Sequence, residues 1–385
     1  MAVIWLRRAP ISTALVMADK PYRSGARRAC APEETWARIS PRLPVFGVTR
    51  VANLTGLDRI GIPVFQACRP NARSLSVYQG KGPTRDAARV SAVMEAIETH
   101  CAETIVAPLK FASVEELRFS HRLVDIDQLP LTEIEGVDPD LPFLWIEGRD
   151  LIADVDRWTP FEMVHANYAA PEPPHSGALA ATTNGLASGN TRDEAVLHAL
   201  LEVIERDAET LWKLGPDAWG DRTAIRPDSI DDPVCRDLLD KFAAAGIDVA
   251  MWDVTSDIGA PTFLALIDDA EGRDGAPEFG AGCHLAPEVA LSRALTEAAQ
   301  ARLTYIAGAR EDIPDADYGD DVVADRRVEA RRLVDGLTPA RDFGDVASRE
   351  AETTVGDVAA TLEMLAEVGV TQVMAFDLDQ PAFGV

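Results

Sequence analysis

Three stretches of the 385-residue chain share one spacing, and that spacing limits the fold more than any other feature. They read Asp86-x-Ala88-x3-Ala92-x2-Glu95, Asp193-x-Ala195-x3-Ala199-x2-Glu202 and Glu288-x-Ala290-x3-Ala294-x2-Glu297. At about 100° per residue, positions −7, −3 and 0 fall within roughly 60° of one another, so each helix carries two alanines and a glutamate on one face. Small residues there predict close approach between helices, with the glutamates converging. Three residues further on, Glu98, Glu205 and Gln300 point the same way. A single E-x-x-E pair is ordinary on a solvated helix face. Three of these faces with alanine stripes predict a shared acidic site.

The surroundings of these helices are strand-like. Residues 48–82 alternate short apolar runs with turn residues up to Gly80-Lys81-Gly82, and a helix is predicted over 86–103. Strands follow near 143–168. A proline-rich loop from Ala169 to Gly185 leads to a helix from about Thr191 to Lys213. Strands near 249–268 and 278–285 precede a third helix beginning at Pro287, a residue suited to a helix start. Residues 324–385 read as two helices and a final strand, Val370 to Phe376. Repeated strand-loop-helix units predict a mixed α/β fold. The last residues, Phe383-Gly384-Val385, resemble mid-strand sequence, and the chain is expected to be truncated at its C-terminus.

Composition narrows the partners. Acidic residues number 63 against 37 basic ones, a formal net charge of −26, and no long Lys/Arg run interrupts this background. Nucleic acids and anionic membranes are therefore disfavoured. Five scattered cysteines with no C-x-x-C pair indicate a reducing cytoplasm. Arg7-Arg8 followed by Ala9–Met17 is too short and too broken for a signal peptide or a membrane span.

Clustered carboxylates need cations to stay ionised, and hard oxygen ligands select Mg²⁺, Mn²⁺ or Ca²⁺. The rival is a di-iron centre, whose usual helix motif is Glu-x-x-His. Positions 98, 205 and 300 carry no histidine, and His198, four residues before Glu202, is the best residue that rival offers. Gly-rich segments precede all three helices, at Gly80–Thr84, Asn184–Thr191 and Gly280–His284. Loops entering helix N-termini suit phosphate, although none fits the P-loop pattern. Arg206 and Arg293 would add positive charge. Cys101 and Cys283 are expected to be small packed residues rather than nucleophiles.

The motifs G-K-G-x-T with S-A-x-x-E-A-I-E, N-G-L-A-S-G-N-T-x-x-E-A-x-x-H-A-L-x-E-V-I-E-R-D and R-A-L-T-E-A-x-Q resemble those of the YcaO family from about residue 20 onward. The resemblance implies a YcaO-type fold with a non-P-loop ATP site and Mg²⁺ held by helix glutamates. Matched by position, Glu95, Glu98, Glu202 and Glu205 would be metal ligands. Asn190, Glu194, Glu202, Arg206, Arg293 and Glu297 would line the nucleotide, with Arg28 and Thr35 as N-terminal contacts. Residues 1–47 would thus contribute to the nucleotide site ahead of a catalytic domain over 48–385.

Glu98-Thr99-His100, together with Thr55-Gly56-Leu57-Asp58-Arg59-Ile60-Gly61-Ile62-Pro63-Val64, looks like the branch associated with TfuA partner proteins and thioamide formation. The resemblance implies ATP-dependent phosphorylation of a backbone amide oxygen in a peptide or ribosomal-protein substrate, with a TfuA-like partner and a sulfur donor. It leaves room for a homodimer. An azoline-forming cyclodehydratase and a non-catalytic peptide-presenting scaffold are the alternatives.

Overall fold

Helices form where the repeated spacing predicts them. The computed structural model describes residues 2–5, 20–132, 136–215, 219–269 and 275–379. Arg7-Arg8, the stretch Ala9–Met17 and the terminal Phe383-Gly384-Val385 lie outside the described residues. In chain order the helices are α1 (Pro32–Ile39), α2 (Arg85–Glu103), α3 (Val114–Leu117), α4 (Arg192–Leu214), α5 (Trp219–Thr223), α6 (Pro233–Ala244), α7 (Pro287–Ala307), α8 (Asp320–Val334) and α9 (Thr354–Glu367). The strands are β1 (Ala2–Trp5), β2 (Arg50–Asn53), β3 (Val64–Cys68), β4 (Val77–Lys81), β5 (Leu109–Ala112), β6 (Phe143–Asp150), β7 (Val155–Pro160), β8 (Asp248–Asp253), β9 (Thr262–Asp268), β10 (Glu278–Cys283) and β11 (Val373–Phe376). The fold is mixed α/β.

Three sheets organise it. An antiparallel sheet in the order β2-β3-β4 carries α2, and a second in the order β10-β9-β8 carries α7. A five-stranded sheet runs β1-β11-β6-β5 with β7 also on β6; its β1–β11 pairing is parallel and joins the two ends of the described chain.

Local chemistry sets the helix boundaries. The Thr84 hydroxyl accepts from the Ala87 N–H at 3.2 Å and caps α2, and Thr191 does the same for α4 through Glu194. Helix α7 starts at Pro287 and stops at Gly308, whose φ of 55° is left-handed and favours glycine.

The continuous run Phe263-Leu264-Ala265-Leu266-Ile267 in β9 is explained by cover on both faces. Phe263, Ala265 and Ile267 join the core built by α6 and α7, around Leu238, Phe242 and Ala294. Leu264 and Leu266 pack with Trp252 and with Ala330 of α8. Burying side chains of this size contributes about 1.5–3 kcal/mol each. Among the described residues, no helix is long and apolar enough to cross a membrane.

Candidate active site

The alanine stripes of α2 and α7 serve strands rather than neighbouring helices, which corrects the sequence expectation for those two, whereas Ala195 and Ala199 of α4 lie in a core shared with helix α9 and strands β10 and β11. Ala88, Ala92, Ala290 and Ala294 are fully buried. A Cβ on Gly80 would collide with the Ala92 nitrogen and fall 2.5 Å from the Ala88 carbonyl oxygen. On Gly282 it would meet the Ala290 carbonyl oxygen and lie 2.5 Å from the Ala294 nitrogen. Strands β4 and β10 therefore lie flush on α2 and α7. Gly80, Gly280 and Gly282 are strand residues that permit this contact, not members of phosphate-binding loops. Only the segment before α4 is a loop of the expected kind. There, a Cβ on Gly189 would lie 2.6 Å from the Ala195 nitrogen.

Flush packing brings the helices' acidic faces around one cavity of about 990 Å³. Glu95 and Glu98 of α2, Glu202 and Glu205 of α4, and Glu297 of α7 all line it. Glu98 accepts from the Ser188 N–H at 3.0 Å and its hydroxyl at 2.5 Å, Glu202 from the Gly185 N–H at 3.2 Å, and Glu205 from the Cys283 N–H at 2.8 Å. Arg206 and Arg293 line the same space, with an Arg293 Nη2 at 3.8 Å from Glu205.

A second cluster closes one end. Glu194 accepts from the Asn190 N–H at 2.8 Å and its Nδ2 at 3.1 Å, and from the Ala29 N–H; the Arg28 guanidinium is 3.9 Å away. The Thr35 hydroxyl donates to Asn190 Oδ1 at 2.8 Å. The strap carrying Arg28 is tied down by buried Lys20, which donates to Asp357 at 2.5 Å, and by Arg27, which pairs with Glu350 and Glu288. Every residue that the sequence singled out for metal or nucleotide thus lines one cavity. So do Lys81, Ser188 and Arg310, which were not assigned. Lys81 stood in view in the G-K-G motif and Ser188 in the Asn184–Thr191 segment, whereas nothing local marks Arg310. Cys283 is buried, and Cys101 lines the cavity with its thiol pushed up to about 12 by burial.

The family model described as YcaO cyclodehydratase, ATP- and Mg²⁺-binding, matches residues 79–385. The chain belongs to the YcaO family. A Rhizobium leguminosarum bv. trifolii relative, an uncharacterized protein in the tfuA 3′ region, is 37% identical over 370 residues, covering 93% of this chain and 86% of its own length. An uncharacterized protein of Methanothermobacter thermautotrophicus is 38% identical over 370 residues, covering 91% of this chain and 90% of its own. In fold, the chain is similar to YcaO from Methanopyrus kandleri, solved with AMPPCP and Mg²⁺, at a TM-score of 0.75 and 24% identity over 94% of this chain and 91% of that one. A heterocyclase solved with substrate and cofactor aligns at a TM-score of 0.78 and 22% identity over 95% of this chain, which spans about half (52%) of that protein. ATP and Mg²⁺ are the cofactors that YcaO membership carries.

The electrostatics of this YcaO cavity suit such occupants. Burial, with Glu202 adding repulsion, pushes Glu95 up to about 7, and Arg310 and Lys81 offset this only in part. Burial and the charges of Glu95 and Glu202 push Glu98 up to about 8 despite its bonds to Ser188. Burial likewise takes Glu202 to about 7 and raises Glu205. Glu297 goes the other way: burial alone would raise it, but its Lys81 partner, Arg206 and Arg293 hold it below the ordinary value. Burial, then Arg293, Arg28 and Lys81, push His198 well below its ordinary value and leave it neutral.

Carboxyls this reluctant to ionise are short of cations, and the buried Arg293 Nε has no partner. Among the described residues, no three His, Cys, Asp or Glu side chains already form a metal cage. Mg²⁺ binds through carboxylates together with phosphates and retained waters, and the glutamates lining this cavity are oxygen donors of that kind. The residues present fit both groups.

Proposed function

We propose that this YcaO protein uses ATP to phosphorylate a backbone amide oxygen in a peptide or ribosomal-protein substrate and, with a TfuA-like partner and a sulfur donor, produces a thioamide. The observation that carries this reading is that the buried carboxyls Glu95, Glu98, Glu202 and Glu205 line one cavity together with Arg206 and Arg293. The rhizobial relative in a tfuA region supports the choice of partner.

Glu95 and Glu98 from α2, with Glu202 and Glu205 from α4, would hold Mg²⁺. When bound, Mg²⁺ supplies charge neutralisation along the phosphates. Asn190, Glu194, Glu202, Glu297 and the N-terminal pair Arg28 and Thr35 would orient the nucleotide. Arg206 and Arg293 would offset charge developing on the transferred phosphoryl group.

Amide resonance makes the carbonyl oxygen a poor leaving group, and phosphorylation changes that. A sulfide adds to the carbonyl carbon, and the resulting oxyanion attacks the γ-phosphorus as ADP leaves. Collapse to C=S then breaks the C–O bond, releases phosphate and loses the S–H proton. No protein nucleophile is required.

A second reading has support of its own. The family description names a cyclodehydratase, and the fold matches a heterocyclase. The same activation with a Cys, Ser or Thr side chain of the substrate as nucleophile would give an azoline. Intact-mass analysis of a substrate incubated with protein, partner, sulfide, ATP and Mg²⁺ separates the two, because sulfur for oxygen adds about 16 Da whereas ring closure removes about 18 Da. The expected result is the gain, lost in Glu202→Ala. A substrate of unchanged mass with the wild type overturns amide activation altogether.

A further inference from the structure

Lys81 stands among acids from all three repeated helices, and the pleat of β4 decides where it points. Gly80 and Gly82 both press on α2. A Cβ on Gly82 would lie 2.7 Å from Ala87 Cβ, and one on Gly80 has no room at all. Alternation then turns the side chain between them to the opposite face of the strand. On that side the ammonium pairs with Glu297 of α7, with the lysine side chain only 17% exposed and lining the cavity. Its charge also acts on Glu95 of α2 and Glu205 of α4. Arg293 and Glu297 stand four apart on α7 and share a face, so Lys81 and Arg293 flank one carboxylate from two elements. Two cations with an acid between them make a cradle for a chain of phosphates.

We infer that Lys81 is a nucleotide-binding residue: paired with Glu297, its ammonium also reaches the phosphate chain of the Mg²⁺-nucleotide. The inference rests on reading the cavity as the nucleotide site. A lysine suits the task better than an arginine. Its ammonium is a compact charge with three rotatable donors on a flexible stem, so it can keep one bond to Glu297 while giving others to phosphate oxygens. Glu297 is meanwhile held ionised and in place ahead of the ligand.

Isothermal titration of AMP and of AMPPCP, each with Mg²⁺, into the wild type and Lys81→Met tests this. The methionine keeps most of the apolar stem; Lys81→Gln serves in its place should that variant not fold. AMPPCP affinity is expected to fall about tenfold or more while AMP affinity changes less than twofold, because only the longer phosphate chain loses a charged partner. Equal losses for both nucleotides would mean that Lys81 acts only on structure, and no loss would mean that it does not reach the phosphates; either overturns the assignment. A wild type that fails to bind AMPPCP removes the nucleotide site and the lysine's role together. Binding by the wild type with no change in the variant removes the lysine's role alone.

Discussion

In both the β4–α2 and β10–α7 units, a strand with glycines at alternate positions lies flush on a helix whose alanine stripe ends in a glutamate, but the residue between the glycines is Lys81 in one and Ala281 in the other. Ala281 is buried with Trp252 and Leu264 and serves only the core. Lys81 leaves its own unit to pair with Glu297 of the second. The outcome is opposite charge behaviour on matched helices. Glu95 and Glu98 are pushed up to about 7 and about 8, chiefly by burial, while Glu297 is held below its ordinary value. The backbone device is repeated, and the chemistry is set by what fills the one position whose side chain the pleat turns away from the helix.

The largest effect should come from breaking the shared device. In Gly282→Ala the new methyl would meet the backbone of α7 at Ala290 and Ala294, a helix buried on most sides that has nowhere to shift. A loss of about 3 kcal/mol or more is expected in denaturant unfolding, against the usual small gain from removing a glycine. Gly82→Ala meets mainly the Ala87 methyl at 2.7 Å, just beyond the end of β4, and should cost less. Equal losses at the two positions would break the comparison.

A middle-sized effect separates the charges. In the ligand-free protein Glu95, Glu98 and Glu202 hold protons up to about pH 7 to 8, whereas in the unfolded chain they release them near the ordinary 4.5. The native state therefore binds more protons through this window. The stabilisation is fully present below about pH 4.5 and is lost as pH rises through 7 and 8. Between pH 6 and 8 the melting temperature should fall by several degrees. Glu98→Gln should flatten that slope, whereas Glu297→Gln should leave it, since Glu297 is already ionised in that range. A slope that vanishes equally in both variants would show that the two units do not differ in charge.

Much of this was legible in the sequence, for a physical reason. The spacing that predicts a shared face also fixes the helices, and α2, α4 and α7 begin within a residue or so of the expected positions. Glu95, Glu98, Glu202, Glu205 and Glu297 line one cavity because the acids follow the alanines by fixed helical steps, whereas Arg28, Thr35, Asn190 and Glu194 were legible only through the family resemblance. What packs on those alanines was not legible. A small-residue stripe admits a helix or a strand equally, and only the glycines at alternate positions, 80 with 82 and 280 with 282, distinguish the two. Helix α6 was not among the expected elements, although Asp232 followed by Pro233 is a helix-start signal; in the structure Asp232 caps the helix through the Val234 and Cys235 N–H groups at 3.0 and 2.9 Å, with Pro233 in its first turn. The Lys81–Glu297 pair joins residues far apart in the chain, and no local pattern announces it.

The smallest effect tests whether helix starts contribute to ligand binding. Helix α2 is capped by the Thr84 hydroxyl, while α7 begins at Ala286 with no side-chain cap and relies on Pro287, whose missing N–H leaves one fewer donor to satisfy. Thr84→Ala should therefore cost about 1 kcal/mol in denaturant unfolding. Its effect on Mg²⁺-AMPPCP affinity should stay below twofold, because Glu95 stands eleven residues further on, roughly 16 Å along the helix axis. The start of α2 does border the cavity, at Ala87 in its first turn and at Pro83 just before the cap. A clear gain of affinity in Thr84→Ala would thus mean that its freed N–H groups face the phosphates after all, and that the glycine segment before α2 combines strand packing with the anion-binding role first expected of it.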